Sequence, residues 1–438
     1  MRKNPVAVPD TLENLPKYDV KPGLERIEFL LEQLDHPEEE FSSIHIAGSN
    51  GKGSVVAMIS AALSGDYSVG EFTSPPLIDF SDRIRVAGEN ISEGSISRGV
   101  NRLKEPIERL RDKGNEPSYF EAATALGAWY FREKEVDLAL LETGLGGRYD
   151  ATNPVGNPII SLITSVDREH QNILGESFEE IARELVGIAK PGKPLVLGPS
   201  KNYPAGILEA EKNEIGCKIV PAEERTEVRI LDFDWNATRY ELQNTFLADL
   251  KGETIQLGLK GTFQERNLTT ALTAIGELDE AGYSIGPEKI KRGLETASWP
   301  GRFQLLAKNP HLVADGAHNK AAIELIAREI ARYGLLRPEA GRSYLVFSAL
   351  KDKNIKGMLA ALEPVVDGIY LTELDLTRAA PLKALERWAG EIGVSYESIA
   401  SPKKAIEAAR GAAKKEDSIY VTGSLYLVRE AILSESRR

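Results

Sequence analysis

The sequence predicts an α/β protein in two parts. The first is a phosphate-loop domain on a mainly parallel sheet, with a small antiparallel β sub-sheet. The second is a C-terminal Rossmann-like α/β domain. Three observations carry this. Short apolar runs alternate with amphipathic stretches over residues 24–197, the pattern of βαβ units. A strand, a glycine-rich turn and an apolar helix follow one another over residues 44–63. The texture then changes to apolar/polar alternation over 228–259 and returns to βα alternation beyond residue 311.

Taken in order, Leu24, Ile27, Leu30, Leu31 and Leu34 recur at helical spacing and predict a helix over 24–34. A strand at 44–47 and a helix at 54–63 follow. Next come a helix at 121–131, strands at 138–141 and 158–163, a helix at 178–188 and a strand at 195–197. Asn236 and Lys251-Gly252 mark the turns of the antiparallel segment, and a helix is expected over 267–281. Ser298-Trp299-Pro300-Gly301-Arg302 has the composition of a joint. Beyond it, strands at 312–314, 343–347, 368–371 and 418–421 alternate with helices at 321–333 and 403–414. The expected division is residues 1–298 and 299–438, with a ligand cleft between the two parts.

Of 438 residues, 42% are hydrophobic and 27% charged, the balance of a soluble globular chain with material for more than one core. The net charge of −12 argues against non-specific nucleic-acid binding, which needs a surplus of cations. Cys217 is the single cysteine, so a disulfide framework and a cysteine-based zinc cluster are both excluded. The first residues are charged, and no apolar run approaches the length of a membrane span. A cytoplasmic, reducing location without membrane partners is expected.

The loop Gly48-Ser49-Asn50-Gly51-Lys52-Gly53-Ser54 sits between the strand and the helix. Backbone N–H groups and a helix N-terminus in that setting stabilise phosphate. Lys52 would add a cation at the β- and γ-phosphates, and Ser54 would reach Mg²⁺. The spelling departs from the usual phosphate loop, because Gly53 separates the lysine from the serine. Taken alone, the segment also fits a tight turn with a surface lysine.

Further motifs stand along nearly the whole chain. They include Tyr18, Gly23-Leu24-Glu25-Arg26, Thr73-Ser74-Pro75, Asp82-Arg83-Ile84-Arg85 and Tyr119-Phe120-Glu121. The run from Glu142 to Asn153 (ETGLGGRYDATN) follows, then His170, Pro300-Gly301-Arg302-Phe303 and Asp315-Gly316-Ala317-His318-Asn319. Together with the loop, these residues resemble the folylpolyglutamate synthase / dihydrofolate synthase family of Mur-ligase-like, ATP-dependent amide ligases. The resemblance implies a ligase that joins L-glutamate to dihydropteroate, to a reduced folate, or to both, through an acyl phosphate. It leaves open a related ligase for another pterin, cofactor or cell-wall precursor, and a nucleotide-binding protein without ligation. A monomer is expected.

Carried over by motif, Asn50, Gly51, Lys52, Gly53, Ser54, Asn267, Arg302 and Asp315 would bind ATP. Ser54, Ser74, Glu142 and His170 would hold Mg²⁺. Lys52, Glu142, His170 and His318 would serve the chemistry. Tyr119, Phe120, Tyr149, Asp150 and Ala151 would line the pterin site. Hard oxygen donors suit Mg²⁺. Aromatic rings ahead of a helix are also ordinary core residues, and a strand-end glutamate is also an ordinary ion-pair partner. Two positions depart from the family. Pro76 stands where relatives have a histidine after Ser-Pro. Leu185 stands where they have a lysine that is carbamylated to help hold a second Mg²⁺. Leucine cannot form a carbamate, and Lys190 is expected to face about 140° away on a helix.

Overall fold

The computed structural model describes residues 6, 8–17, 23–168, 171–245, 247–336 and 341–436. Tyr18 and His170 lie outside the described residues.

Three sheets organise them. The first contains β1 (Ser42–Ala47), β2 (Val69–Phe72), β3 (Ile84–Val86) and β4 (Glu89–Asn90). It continues with β5 (Leu138–Glu142), β6 (Asn157–Ile163), β7 (Pro194–Leu197) and β8 (Lys218–Pro221). The strand order is β4-β3-β2-β5-β1-β6-β7-β8, parallel from β2 to β8, with β3 and β4 antiparallel at one edge. The β5 sequence LALLE is buried throughout, as expected of a strand covered on both faces.

The helix Lys52–Leu63 follows β1 directly. Its Val55, Val56, Met58, Ile59 and Leu63 share one core with Ile44, Leu138, Leu140 and Ile160 of the sheet. Each such burial contributes roughly 1.5–3 kcal/mol. Leu268, Leu272 and Ile275 of the helix Gln264–Glu280 pack beside that helix in the same core. The second sheet packs there too. It is the antiparallel β11-β10-β9, built from β9 (Thr226–Phe233), β10 (Thr238–Thr245) and β11 (Thr254–Leu257).

The third sheet has the order β12-β13-β17-β14-β15-β16. Its strands are β12 (Gln304–Ala307), β13 (His311–Ala314), β14 (Ser343–Phe347), β15 (Gly368–Leu371), β16 (Tyr396–Ser398) and β17 (Ser418–Thr422). All are parallel except β12. The helix Lys320–Gly334 packs on one face, and Pro402–Ala412 and Leu425–Ser436 on the other. This is the doubly wound arrangement, which places ligands at the carboxyl edge of the strands. No described helix is long and apolar enough to cross a membrane.

The expected elements are present with shifted ends, and several more appear. The largest is Glu93–Asp112, a helix that carries Pro106 inside it. Ser92 caps its start, and Ile96, Val100, Leu103, Ile107 and Leu110 form its buried face. Gly99 meets Leu126 and Trp129 of the helix Tyr119–Glu133 so closely that a Cβ would lie 2.2 Å from Leu126.

One histidine of β1 couples this fold to pH. His45 is fully buried, with Nε2 2.8 Å from Thr152 Oγ1. Burial, assisted by Lys190, pushes its pKa down to about 3. An unfolded chain takes up that proton near the ordinary histidine value and the folded chain does not. Stability from this site is therefore complete above the ordinary value and falls as pH drops toward about 3, by about 1.4 kcal/mol per pH unit. His45→Gln is expected to flatten the decline in urea midpoint between neutral and mildly acidic pH. Parallel declines in both proteins would refute the assignment.

Candidate active site

The chain turns sharply after β1. Gly48 has φ +133° and Gly51 φ +92°, a region side chains rarely enter. A Cβ on Gly51 would sit 2.3 Å from Asn267 Oδ1, so Asn267 rests directly on the loop. Thr164 Oγ1 donates to the Asn50 carbonyl at 2.6 Å, and Asn50 Nδ2 donates to Asp167 at 3.0 Å. These bonds pin the loop to the end of β6. The first-turn amides of Lys52, Gly53 and Ser54 have no acceptor within their own helix and carry its positive end. Lys52 Nζ donates to the Gly48 carbonyl at 2.7 Å, so the cation arches over the loop.

Parallel pairing of Glu142 with Ile46 brings the end of β5 beside this loop. Glu142 is buried and accepts from the Ser74 amide at 3.0 Å. Desolvation raises its pKa above the usual carboxylate range, against the pull of Lys52, Arg302 and Arg83. Ser54 is buried, and Gln264 Nε2 lies 3.4 Å from its hydroxyl. Ser74 Oγ reaches the Thr143 carbonyl at 3.5 Å, and the Ser74–Pro75 peptide is cis.

The opposite bank comes from the third sheet. Arg302 precedes β12, and Asp315 to Asn319 follow β13. Asp315 is buried; it accepts from the Phe303 amide at 2.7 Å and the Ala317 amide at 2.8 Å. Burial raises its pKa, with Arg302 opposing. His318 Nδ1 lies 2.8 Å from the Gly316 carbonyl. That oxygen can only accept, so Nδ1 is assigned the proton and Nε2 is an acceptor in the neutral ring. Both banks face one cleft of about 430 Å³ that also takes in Thr262, Asn267, Arg328 and Leu185. Cations and carboxylates are interleaved along its walls, with Lys52, Arg302 and Arg328 beside Glu142, Asp315 and Glu329.

Among the described residues, no three His, Cys, Asp or Glu side chains gather closely enough to hold a metal alone. The oxygen set Ser54, Ser74 and Glu142 does suit a hard divalent ion that also binds phosphate oxygens, and the desolvated Glu142 is stabilised by a cation. His170 is outside the described residues.

The five residues expected at the pterin site do not line this cleft. Asp150 is turned into its own loop. Its carboxylate accepts from the amides of Gly144, Leu145 and Thr152 and from the Thr152 hydroxyl, so it organises the loop. Ala151 packs into a core. Tyr149 is 56% exposed. Tyr119 and Phe120 instead wall the buried Arg83, whose guanidinium is 5.9 and 5.4 Å from their ring centres. Phe120 also abuts Gly144, where a Cβ would lie 2.7 Å from its ring. Leu185 is buried with Ile181 and Val186 and lines the cleft. Lys190 turns away to Asn153 Oδ1 at 2.8 Å.

Sequence reasoning assigned no role to Arg328, Thr262 or Glu329. Glu329 accepts from the Thr262 amide at 2.8 Å, joining the third sheet's helix to the segment ahead of Asn267. A buried glutamate on an amphipathic helix carries no sequence signal of its partner.

Residues 301–425 match the family described as Mur ligase, glutamate ligase domain, so the part that bears Arg302, Asp315 and His318 is a Mur-type ligase domain. Dihydrofolate synthase/folylpolyglutamate synthase of Bacillus subtilis is 36% identical over 419 residues, covering 94% of this chain and 95% of the relative. Escherichia coli FolC in complex with DHPP and ADP superposes with a TM-score of 0.83 at 29% identity, covering 98% of this chain and 96% of that one. A Yersinia pestis bifunctional folylpolyglutamate synthase/dihydrofolate synthase, complexed with AMPPNP and Mn ion, has a TM-score of 0.80 at 28% identity, covering 97% and 96%. The chain belongs to the folylpolyglutamate synthase / dihydrofolate synthase family of ATP-dependent ligases, which form a C–N bond.

Proposed function

We propose that this chain adds L-glutamate to dihydropteroate, to a reduced folate, or to both, with ATP as co-substrate and in the cytosol as a monomer. The observation that carries this is the single cleft. It gathers the phosphate loop and Glu142 from one sheet and Arg302, Asp315 and His318 from another. We take these banks to be two domains, residues 1–298 and 299–438.

A carboxylate is a poor electrophile, so it is first made into an acyl phosphate. An acceptor carboxylate oxygen attacks the γ-phosphorus, the bond to the bridging oxygen breaks, and ADP leaves with the electron pair. The first-turn amides, Lys52 and Arg302 stabilise the charge that gathers there. Asn267 supports Gly51 and borders the nucleotide, and Asp315 offers its remaining lone pairs to ribose hydroxyls. Ser54, Ser74 and Glu142 would hold a divalent ion, Mg²⁺ in this proposal. Such an ion neutralises phosphate oxygens when bound. The glutamate nitrogen then attacks the acyl carbon, phosphate leaves, and the amide remains. The incoming ammonium must lose protons, and His318 Nε2 is an acceptor suited to one of them. The pterin lies beside the 144–151 loop, with Tyr119, Phe120 and Tyr149 as neighbours and Asp150 and Ala151 supporting the loop.

The direct test is phosphate release with ATP and a divalent ion. Release should require acceptor and glutamate together, and the product mass should rise by one glutamyl unit. Hydrolysis indifferent to both would support a nucleotide-binding protein, and use of another acid would support the related ligase.

Leu185 favours one divalent ion over two. Turnover is expected to ignore added bicarbonate, and Leu185→Lys to acquire a response. Stimulation of the unaltered chain by bicarbonate would refute this.

A further inference from the structure

Gly53 is the residue of the phosphate loop that phosphate chemistry leaves unexplained. It follows Lys52 where the usual order places serine or threonine. Its backbone is ordinary helix, so left-handed freedom is not the reason. The reason is space. A Cβ there would lie 2.6 Å from Trp299 Cε2 and Nε1 and 2.8 Å from Cζ2. The Trp299 indole rests directly on the first turn of the phosphate-loop helix.

The indole is held from elsewhere as well. The Arg85 guanidinium is 4.8 Å from the indole ring centre, a cation–π distance. Arg85 pairs with the buried Glu71 at 2.5 Å. Glu71 Oε1 accepts from Ser60 Oγ at 2.8 Å, and Ser60 belongs to the same helix as Gly53. The contacts therefore close a ring: helix, indole, arginine, glutamate, helix. On its other side Trp299 belongs to the turn that presents Arg302, whose amide donates to the Trp299 carbonyl at 3.3 Å.

We propose that Trp299 is a positioning residue for ATP. Its stack on Gly53 and Arg85 sets the separation between Lys52 and Ser54 on one bank and Arg302 on the other, so that both grip one triphosphate. Any movement of the 299–302 turn that carries Arg302 must slide the indole across Gly53. The glycine is the space that permits this contact. The proposal rests on the ATP-dependent reading of the cleft.

The test compares Trp299→Ala, Trp299→Phe, Gly53→Ala and the double variant Gly53→Ala/Trp299→Ala. Affinity for a non-hydrolysable ATP analogue, KM for ATP and for glutamate, and melting temperature are measured for each. Trp299→Ala and Gly53→Ala should each weaken analogue binding between about tenfold and a hundredfold, as expected of a misplaced clamp. KM for glutamate and the melting temperature should change little, and Trp299→Phe should lie between. The double variant should bind the analogue better than Gly53→Ala alone, because removing the indole makes room for the new methyl group.

Additive losses in the double variant would overturn the proposal. So would a Trp299→Ala defect shared equally by ATP and glutamate, or one that follows melting temperature. If the unaltered chain binds the analogue but performs no ligation, the ligase reading fails and the coupling is still decided by the binding data. If it ligates and the variants are additive, only the positioning role fails.

Discussion

Lys52→Ala is expected to cut ligation by about 10²–10³-fold, the range seen when one preorganised charge-stabilising group is removed. The fold should survive. Lys52 is partly exposed and donates to the Gly48 carbonyl, an oxygen that water can reach once the side chain is gone. A stability change within about 1 kcal/mol follows. Near-normal turnover with a normal melting temperature would show that Lys52 does not meet the transferred phosphate. Lys52→Arg should rescue poorly, because a planar fork does not replace a compact ammonium on a short reach.

Glu142→Gln is expected to have an effect of similar size, with the opposite pattern in stability. The charged carboxylate is disfavoured in the fold, since desolvation raises its pKa. A neutral amide of the same shape keeps an acceptor for the Ser74 amide and relieves that penalty. The melting temperature should hold or rise while turnover falls about a thousandfold, corresponding to the several kcal/mol a metal ion supplies. Stabilisation by Mg²⁺ or Mn²⁺ with an ATP analogue should also disappear. A structural ion-pair partner would behave oppositely, with lower stability and preserved activity per folded molecule. Measuring turnover and melting on one preparation separates the two.

The phosphate loop was legible because its parts are neighbours in the chain. A strand, three glycines, a lysine and an apolar helix are enough to place Gly51 at the helix cap and Lys52 in the first turn. Glu142 was legible as a strand-end carboxylate after an apolar run. The helix Glu93–Asp112 was not, since Pro106 and its many charged residues obscure the periodicity. Its apolar face becomes decisive only against Trp129 and Leu126. Asp150 illustrates the same limit at the site. Its motif pointed to substrate and carried no sign that its carboxylate accepts from the amides of the loop that folds around it.

The sequence by itself determined which chemistry is available. It supplied a helix-capped glycine loop with a lysine, hydroxyl and carboxylate donors for a hard cation, and two runs of βα alternation. These follow from residue type and short-range spacing, which local backbone geometry converts directly into structure. Tertiary structure alone decided which groups meet. Arg302 and Asp315 face Lys52 only because two separate sheets present their carboxyl edges to one cleft. Trp299 reads as part of a turn until its indole is found against Gly53. Such contacts depend on strand order and on the packing of one layer against another, and residues distant in the chain carry no local signal of them.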